Sequence, residues 1–341
     1  METLWTLYHP EIPLFLEKFS CMSSVMRLRD VGMNCGCEYT AFPRFAEIGR
    51  YSRYEHSLGV ALIVWHFTGR QDQALAGLFH DLATPVFAHV VDFLNSDHLH
   101  QESTEAGTRE CIAGSPELMK GLGELGLTVD QVADYHQYPI ADNAAPALSA
   151  DRLEYTLGNL LNYGFADRET VSAFYRDLTV GTDEHGREEL VFQTPEIAEA
   201  FASAALQNSR VYVADEDRLA MQMLADLLQT ALQRGILRRE DLWQTEPWVI
   251  RRLETDAVCG EAWRRFCGSC RVVRSDMPLP DGHVWRQVDA KKRWVDPLVP
   301  GMGRVSQWSG ALREQMASFQ TLDFSVWLRA ETKKRALGED S

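Results

Sequence analysis

The run SLGVALIVWHF, residues 57–67, constrains this chain more than any other stretch, and it follows directly on Arg53, Glu55 and His56. Leu58, Ala61, Leu62 and Trp65 recur at spacings of three and four, which predicts a buried helix over 56–68. Ala74, Leu75, Leu78 and Phe79 repeat the habit and predict a second helix over 73–82. Pro85 should end it, because the residue before a proline is pushed out of the α region. Each apolar segment carries groups that resist burial: His56 heads the first, and the adjacent pair His80-Asp81 ends the second. A third such group is Asp151 in ALSADRLEY, an acid among Ala and Leu in the first turn of a helix that Ser149 caps and Gly164 stops. Singly, each has an ordinary explanation, a hydrogen-bonded core histidine or an acid offsetting a helix dipole. As a set they do not, because desolvating an unpaired carboxylate is costly and three separate apolar contexts call for one shared cation.

His56, His80, Asp81 and Asp151 would supply two imidazoles and two carboxylates from three helices. This mixed nitrogen and oxygen set suits Mn, Fe, Zn, Ni or Co and tolerates Mg. Neighbours on a helix point about 100° apart, so His80 and Asp81 can share a metal only over the groove between them. A helix end near Pro85 makes that easier.

The order RYEHSLGV, then FHDLATPVFAH, then SADRLEY resembles the HD superfamily of metal-dependent phosphohydrolases, and within it the branch containing the deoxynucleotide triphosphohydrolases. The likeness begins upstream at LEKFSCMSSVMRLRDVG and fades after about residue 255. It implies an all-α core, with His56, His80, Asp81 and Asp151 on the metal ligands, Arg53 on a phosphate-contacting arginine and Tyr155 on a substrate-side tyrosine. The chain departs from that branch at three places. HDLATPVFAH keeps His89 but has Thr84 where a histidine is common, and the Asp151 stretch ends in Gly158-Asn159 in place of an Arg and an Asp. A His-Glu pair is replaced by His100-Gln101, with His98 and Glu102 close by. Phosphoester hydrolysis survives these changes, whereas discrimination between ribose and deoxyribose is expected to weaken.

A phosphohydrolase needs a proton donor for the leaving oxygen, and a histidine suits that role near neutral pH. His89 is the first candidate, pointing into the same cavity if a short helix follows Pro85; His100 is the second and His136 the third. Arg53, three residues before His56, would share its face on a continuing helix and could hold phosphate oxygens bidentately, in preference to a salt bridge with Glu55 or a neighbour. Lys291, Lys292 and Arg293 could reach phosphate from the C-terminal region, but read first as a solvated basic run. Cys259, Cys267 and Cys270, with His283, do not have standard zinc spacing and read as free or buried thiols.

The expected fold is mainly α: an HD-type helical core with a small β-hairpin over about 178–192, followed by a mixed helical and irregular C-terminal region. The division is placed at 1–205 and 206–341. A helix starting near residue 101 and a helical stretch to about 256 are also expected, with loops and short strands beyond. The seven cysteines and the absence of a signal-like N-terminus point to the cytoplasm, and no apolar run is long enough for a membrane span. A net charge of −15 argues against nucleic acid as partner, since phosphate backbones are held mainly by Lys and Arg. The expected partner is a small phosphorylated molecule, a nucleotide by the resemblance, and a homo-oligomer is compatible with the sequence. The rival readings are a catalytically weak nucleotide-sensing module and a purely structural helical protein, which metal content and turnover separate from the enzyme.

Overall fold

The computed structural model describes residues 4–91 and 107–333, which are mainly α with three small antiparallel sheets. The organising element is the helix Arg53–Thr68. The Ser52 hydroxyl accepts the Glu55 N–H at 3.3 Å and the Glu55 carboxylate accepts the Ser52 N–H at 2.8 Å, a reciprocal cap, while left-handed Gly69 ends the helix. Every residue from His56 to Val64 is buried, as an apolar run without a polar face requires. The helix Gln71–Phe79 follows after Gly69 and Arg70 and packs against it. The helix Ala150–Asn162 packs on it as well, and Pro195–Val211 packs on Ala150–Asn162 in turn.

Apolar side chains gather in two clusters. The larger joins these helices to the N-terminal helices Trp5–Tyr8 and Leu14–Ser20 and to Val295, Val299, Leu312 and Phe319 from near the end of the chain. The second joins Cys35, Cys37, Phe42 and Phe45 to Val86–Val91 and to the helices Asp215–Gln233, Glu246–Glu254 and Ala257–Cys267. Leu82 belongs to the first cluster and Val86 to the second, so His80 and Asp81 lie just before the chain crosses from one to the other. The helix Pro195–Val211 runs unbroken through residue 205.

The second helix ends at Phe79, with His80 as its C-cap, rather than near Pro85. The reason is local: beyond the helix, Asp81 accepts the Thr84 hydroxyl at 2.6 Å while its own carbonyl accepts the Thr84 N–H at 2.9 Å. The expected hairpin forms, Leu178–Thr182 pairing antiparallel with Glu188–Phe192. The helix expected to start near residue 101 falls partly on residues 92–106, outside the described residues; Thr108–Ala113 is helical. Past residue 256 the structure has more order than the sequence predicts. Besides the helices Ala257–Cys267 and Gly310–Gln320, Trp327–Thr332 lies between Ser269–Ser275 and the short Arg286–Gln287 in a three-stranded sheet. Its strands are thin in apolar alternation because charged pairs such as Arg271 and Glu331 face one another across it.

Candidate metal centre

Three ligand atoms converge from three elements. The Nε2 atoms of His56 and His80 and a carboxylate oxygen of Asp151 form a set whose atoms all lie within 4.8 Å of one another. His56 Nε2 is 3.0 Å and His80 Nε2 3.7 Å from Asp151 Oδ1. The other nitrogen of each ring is already used. His80 Nδ1 donates to the Gly77 carbonyl at 2.7 Å and His56 Nδ1 donates to Glu154 Oε2 at 2.6 Å. His56 Nε2 faces the Asp151 carboxylate, a contact that is favourable with a proton on Nε2 or with a metal ion in place of that proton. Burial alone would lower the pKa of His56, yet its hydrogen bonds to Asp151 and Glu154 push it up to about 10. Burial would raise that of Asp151, but His56 and His80 hold it down to about 2. Two imidazole lone pairs and a carboxylate, with both histidines oriented from behind, fit a divalent metal.

Glu154, which the sequence marks only as an acid in the same helix, orients His56. It is 3% exposed and also accepts hydroxyls from Tyr51 and, at 3.4 Å, from Tyr8. The signal was present in the spacing: Glu154 is three residues after Asp151, so one helix face delivers both a ligand and the support of another ligand. Two glycines make room for it. A Cβ on Gly59 would stand 2.6 Å from Glu154 Oε1, and one on Gly158 would stand 2.6 Å from the Tyr51 hydroxyl. The arginine expected at Gly158 by resemblance is excluded by the tyrosine that holds Glu154.

Asp81 stands beside the three-atom set rather than within it, with Oδ2 3.4 Å from His80 Nε2. Its carboxylate accepts Arg53 Nη1 at 2.7 and 2.9 Å and the Thr84 hydroxyl at 2.6 Å. Burial would raise its pKa, but Arg53 first, then His80 and His56, hold it well below the ordinary carboxylate range. Arg53 thus departs from its expected geometry. Nη1 is committed to Asp81, and Glu55 turns to the helix cap instead. Thr84 does not leave a gap where a histidine is common, since it fixes Asp81.

A cavity is lined by Arg53, His89 and Tyr155, and also by Lys291 and Arg293 from the C-terminal region; the ligands themselves are not on its wall, and Arg53, through its bond to Asp81, links the two. The Tyr155 ring lies 6.5 Å from that of His56. His89 reaches the cavity through a turn, not a short helix: Phe87 and Ala88 are left-handed, at φ 56° and 45°. Cys35, also on the cavity wall, is at φ 53°. Non-glycine residues in this region are strained and gather at functional sites. Lys291, Lys292 and Arg293 are not a solvated run: 291 and 293 line the cavity, while Lys292 donates to the carbonyls of Gln320 and Leu322 at 2.6 Å. His100 lies outside the described residues. His136 is paired with Asp142 at 2.7 Å on a different cavity. The seven cysteines are free thiols, and no described set of potential metal ligands includes one. Among the described residues no helix is long and apolar enough to cross a membrane.

No family model matches the chain. It is similar to the uncharacterized protein YdhJ of Bacillus subtilis, 28% identical over 202 residues, which are 58% of this chain and 60% of that protein. It is also similar to the metal-dependent phosphohydrolase cns2 of Cordyceps militaris, 23% identical over 280 residues, 76% of this chain and 78% of that one. The chain spans about 60% of the length of the first of these relatives and 78% of the second; the second carries metal-dependent in its name, and here His56, His80 and Asp151 form a group that could hold a metal ion.

Proposed function

We propose that the protein is an HD-type phosphohydrolase that cleaves a phosphoester or phosphoanhydride of a small substrate, a nucleotide, using His56, His80, Asp151 and Asp81 to hold a divalent metal. The observation that carries this is the convergence of two imidazole Nε2 atoms on the Asp151 carboxylate, each ring oriented from its far side. The metal, when bound, supplies Lewis acidity and a water acidic enough to attack near neutral pH. Arg53 positions Asp81 and lines the cavity, while Lys291 and Arg293 bring positive charge to the phosphoryl group from residues 206–341. Tyr155 contacts the substrate. His89 delivers a proton to the departing oxygen, with His100 the second candidate for that step.

Metal analysis followed by a panel of nucleoside mono-, di- and triphosphates with Mn, Co, Ni and Mg tests the reading, with phosphate, pyrophosphate and triphosphate release monitored. Close to one metal per chain, lost in Asp151→Ala, and turnover of at least one substrate are expected. Metal without turnover would favour the nucleotide-sensing module, and no metal uptake would end both readings.

A further inference from the structure

The cavity holds two buried amides whose hydrogen-bonding edges are half used. Asn34 is 7% and Asn159 5% exposed, and both line the wall. The Tyr163 hydroxyl donates to Asn34 Oδ1 at 3.0 Å, which leaves Nδ2 as the other edge. Asn159 Nδ2 donates to the Tyr212 hydroxyl at 2.9 Å, which leaves Oδ1. Among the described residues, neither Asn34 Nδ2 nor Asn159 Oδ1 has a partner. Buried polar atoms are rarely left so, because an unmade bond there forfeits the solvation lost on folding. The orphan atoms are one donor and one acceptor, and tyrosine hydroxyls fix the orientation of both amides. Asp217 lines the same cavity. Its pKa is pushed up to about 8 by burial, although the Cys37 thiol 3.7 Å away and the charge of Arg218 oppose the rise. Near neutral pH this wall therefore carries less negative charge to repel a phosphorylated ligand than an exposed aspartate would give it. Tyr155, Tyr163 and Tyr212 complete it with ring faces suited to a flat heteroaromatic group.

We propose that Asn34 and Asn159 are specificity-determining residues that read the edge of a nucleobase, Asn34 as donor and Asn159 as acceptor, while the phosphate of the same molecule lies toward the metal ligands. The inference rests on the phosphohydrolase reading and adds to it the part of the substrate remote from the reaction. It also gives Asn159 a role of its own. Asn159 is not simply a lost acid: the cavity has polar groups with which to reject an imperfect substrate.

The test compares kcat/KM of the full chain, loaded with Mn, on the four common nucleoside 5′-monophosphates and on ribose 5-phosphate, which lacks the base. The wild type should favour its best nucleotide over ribose 5-phosphate by roughly a hundredfold or more, and Asn34→Leu and Asn159→Leu should each shrink that ratio by roughly thirtyfold. A wild-type ratio near one overturns the proposal even if the variants fail to fold, and so does a ratio that folded variants leave unchanged. Should no phosphate be released from any of these compounds, the phosphohydrolase reading is left to the wider panel of nucleotides and metals, and calorimetric titration of the four nucleosides and their 5′-monophosphates decides the inference by itself. Binding of one nucleoside that either Leu variant abolishes sustains base reading, and absence of binding refutes it.

Discussion

Replacing Glu154 by glutamine changes one oxygen to an NH₂ at nearly constant shape, yet it should cost the metal site much of its affinity. In the native protein Glu154 Oε2 accepts His56 Nδ1–H at 2.6 Å, so the ring keeps Nε2 as a lone pair for the metal. Glutamine can answer in two ways. If its carbonyl faces His56, the tautomer survives but a charge-assisted bond becomes a neutral one of roughly half the strength. If its NH₂ faces His56, Nδ1 must accept, the proton moves to Nε2, and the ligand is lost. Mutations of such supporting carboxylates cost about 10- to 100-fold in metal affinity, and each tenfold step is about 1.4 kcal/mol. Because glutamine keeps the shape that packs against Gly59, the fold should survive, which far-UV circular dichroism will verify. Metal affinity is measured by chelator competition for wild type, Glu154→Gln and Glu154→Asp. The aspartate keeps the charge but is one methylene too short to reach. Affinities of both variants within threefold of wild type, with turnover intact, would refute the assignment of Glu154 as the support of His56.

Arg53→Met should leave Asp81 as a buried anion without its main partner, a loss of about 3–5 kcal/mol. Scanning calorimetry should show a clearly lower Tm for the metal-free variant, part of which added divalent metal restores by supplying positive charge; an unchanged Tm would make the Arg53–Asp81 pair unimportant. Half-buried Glu38 and buried Glu246 form a carboxylate pair. Burial, then the charge of Glu246, pushes Glu38 from 4.5 up to about 8. The native state therefore keeps a proton that the unfolded chain gives up above about 4.5, so this contribution to stability is full below that pH and is lost as pH rises through about 8. Glu38→Gln should flatten Tm against pH across that window and gain on the wild type at its alkaline end; parallel curves would count against the pair.

That the candidate metal ligands need partners was legible in the sequence. His56, His80, Asp81 and Asp151 each stand in apolar surroundings that a charged or polar group tolerates only with a partner, and helical spacing is enough to show those surroundings. The helices around His56 and Asp151, with the Ser149 cap, follow from the same local rules, as does the hairpin at 178–192. What stands behind the ligands could not be read that way, because no local pattern ties Tyr51 and Glu154 to His56, or Arg53 and Thr84 to Asp81. Those pairings arise where helices cross, and Gly59 shows its purpose only once the neighbouring helix is in place. The cavity wall is more remote still. Asn34, Asn159, Asp217, Lys291 and Arg293 come from four distant parts of the chain, and each alone is an ordinary polar residue. Only tertiary packing decides that Lys291 and Arg293 turn inward while Lys292 turns away, and that two amides are buried with one edge apiece unpaired.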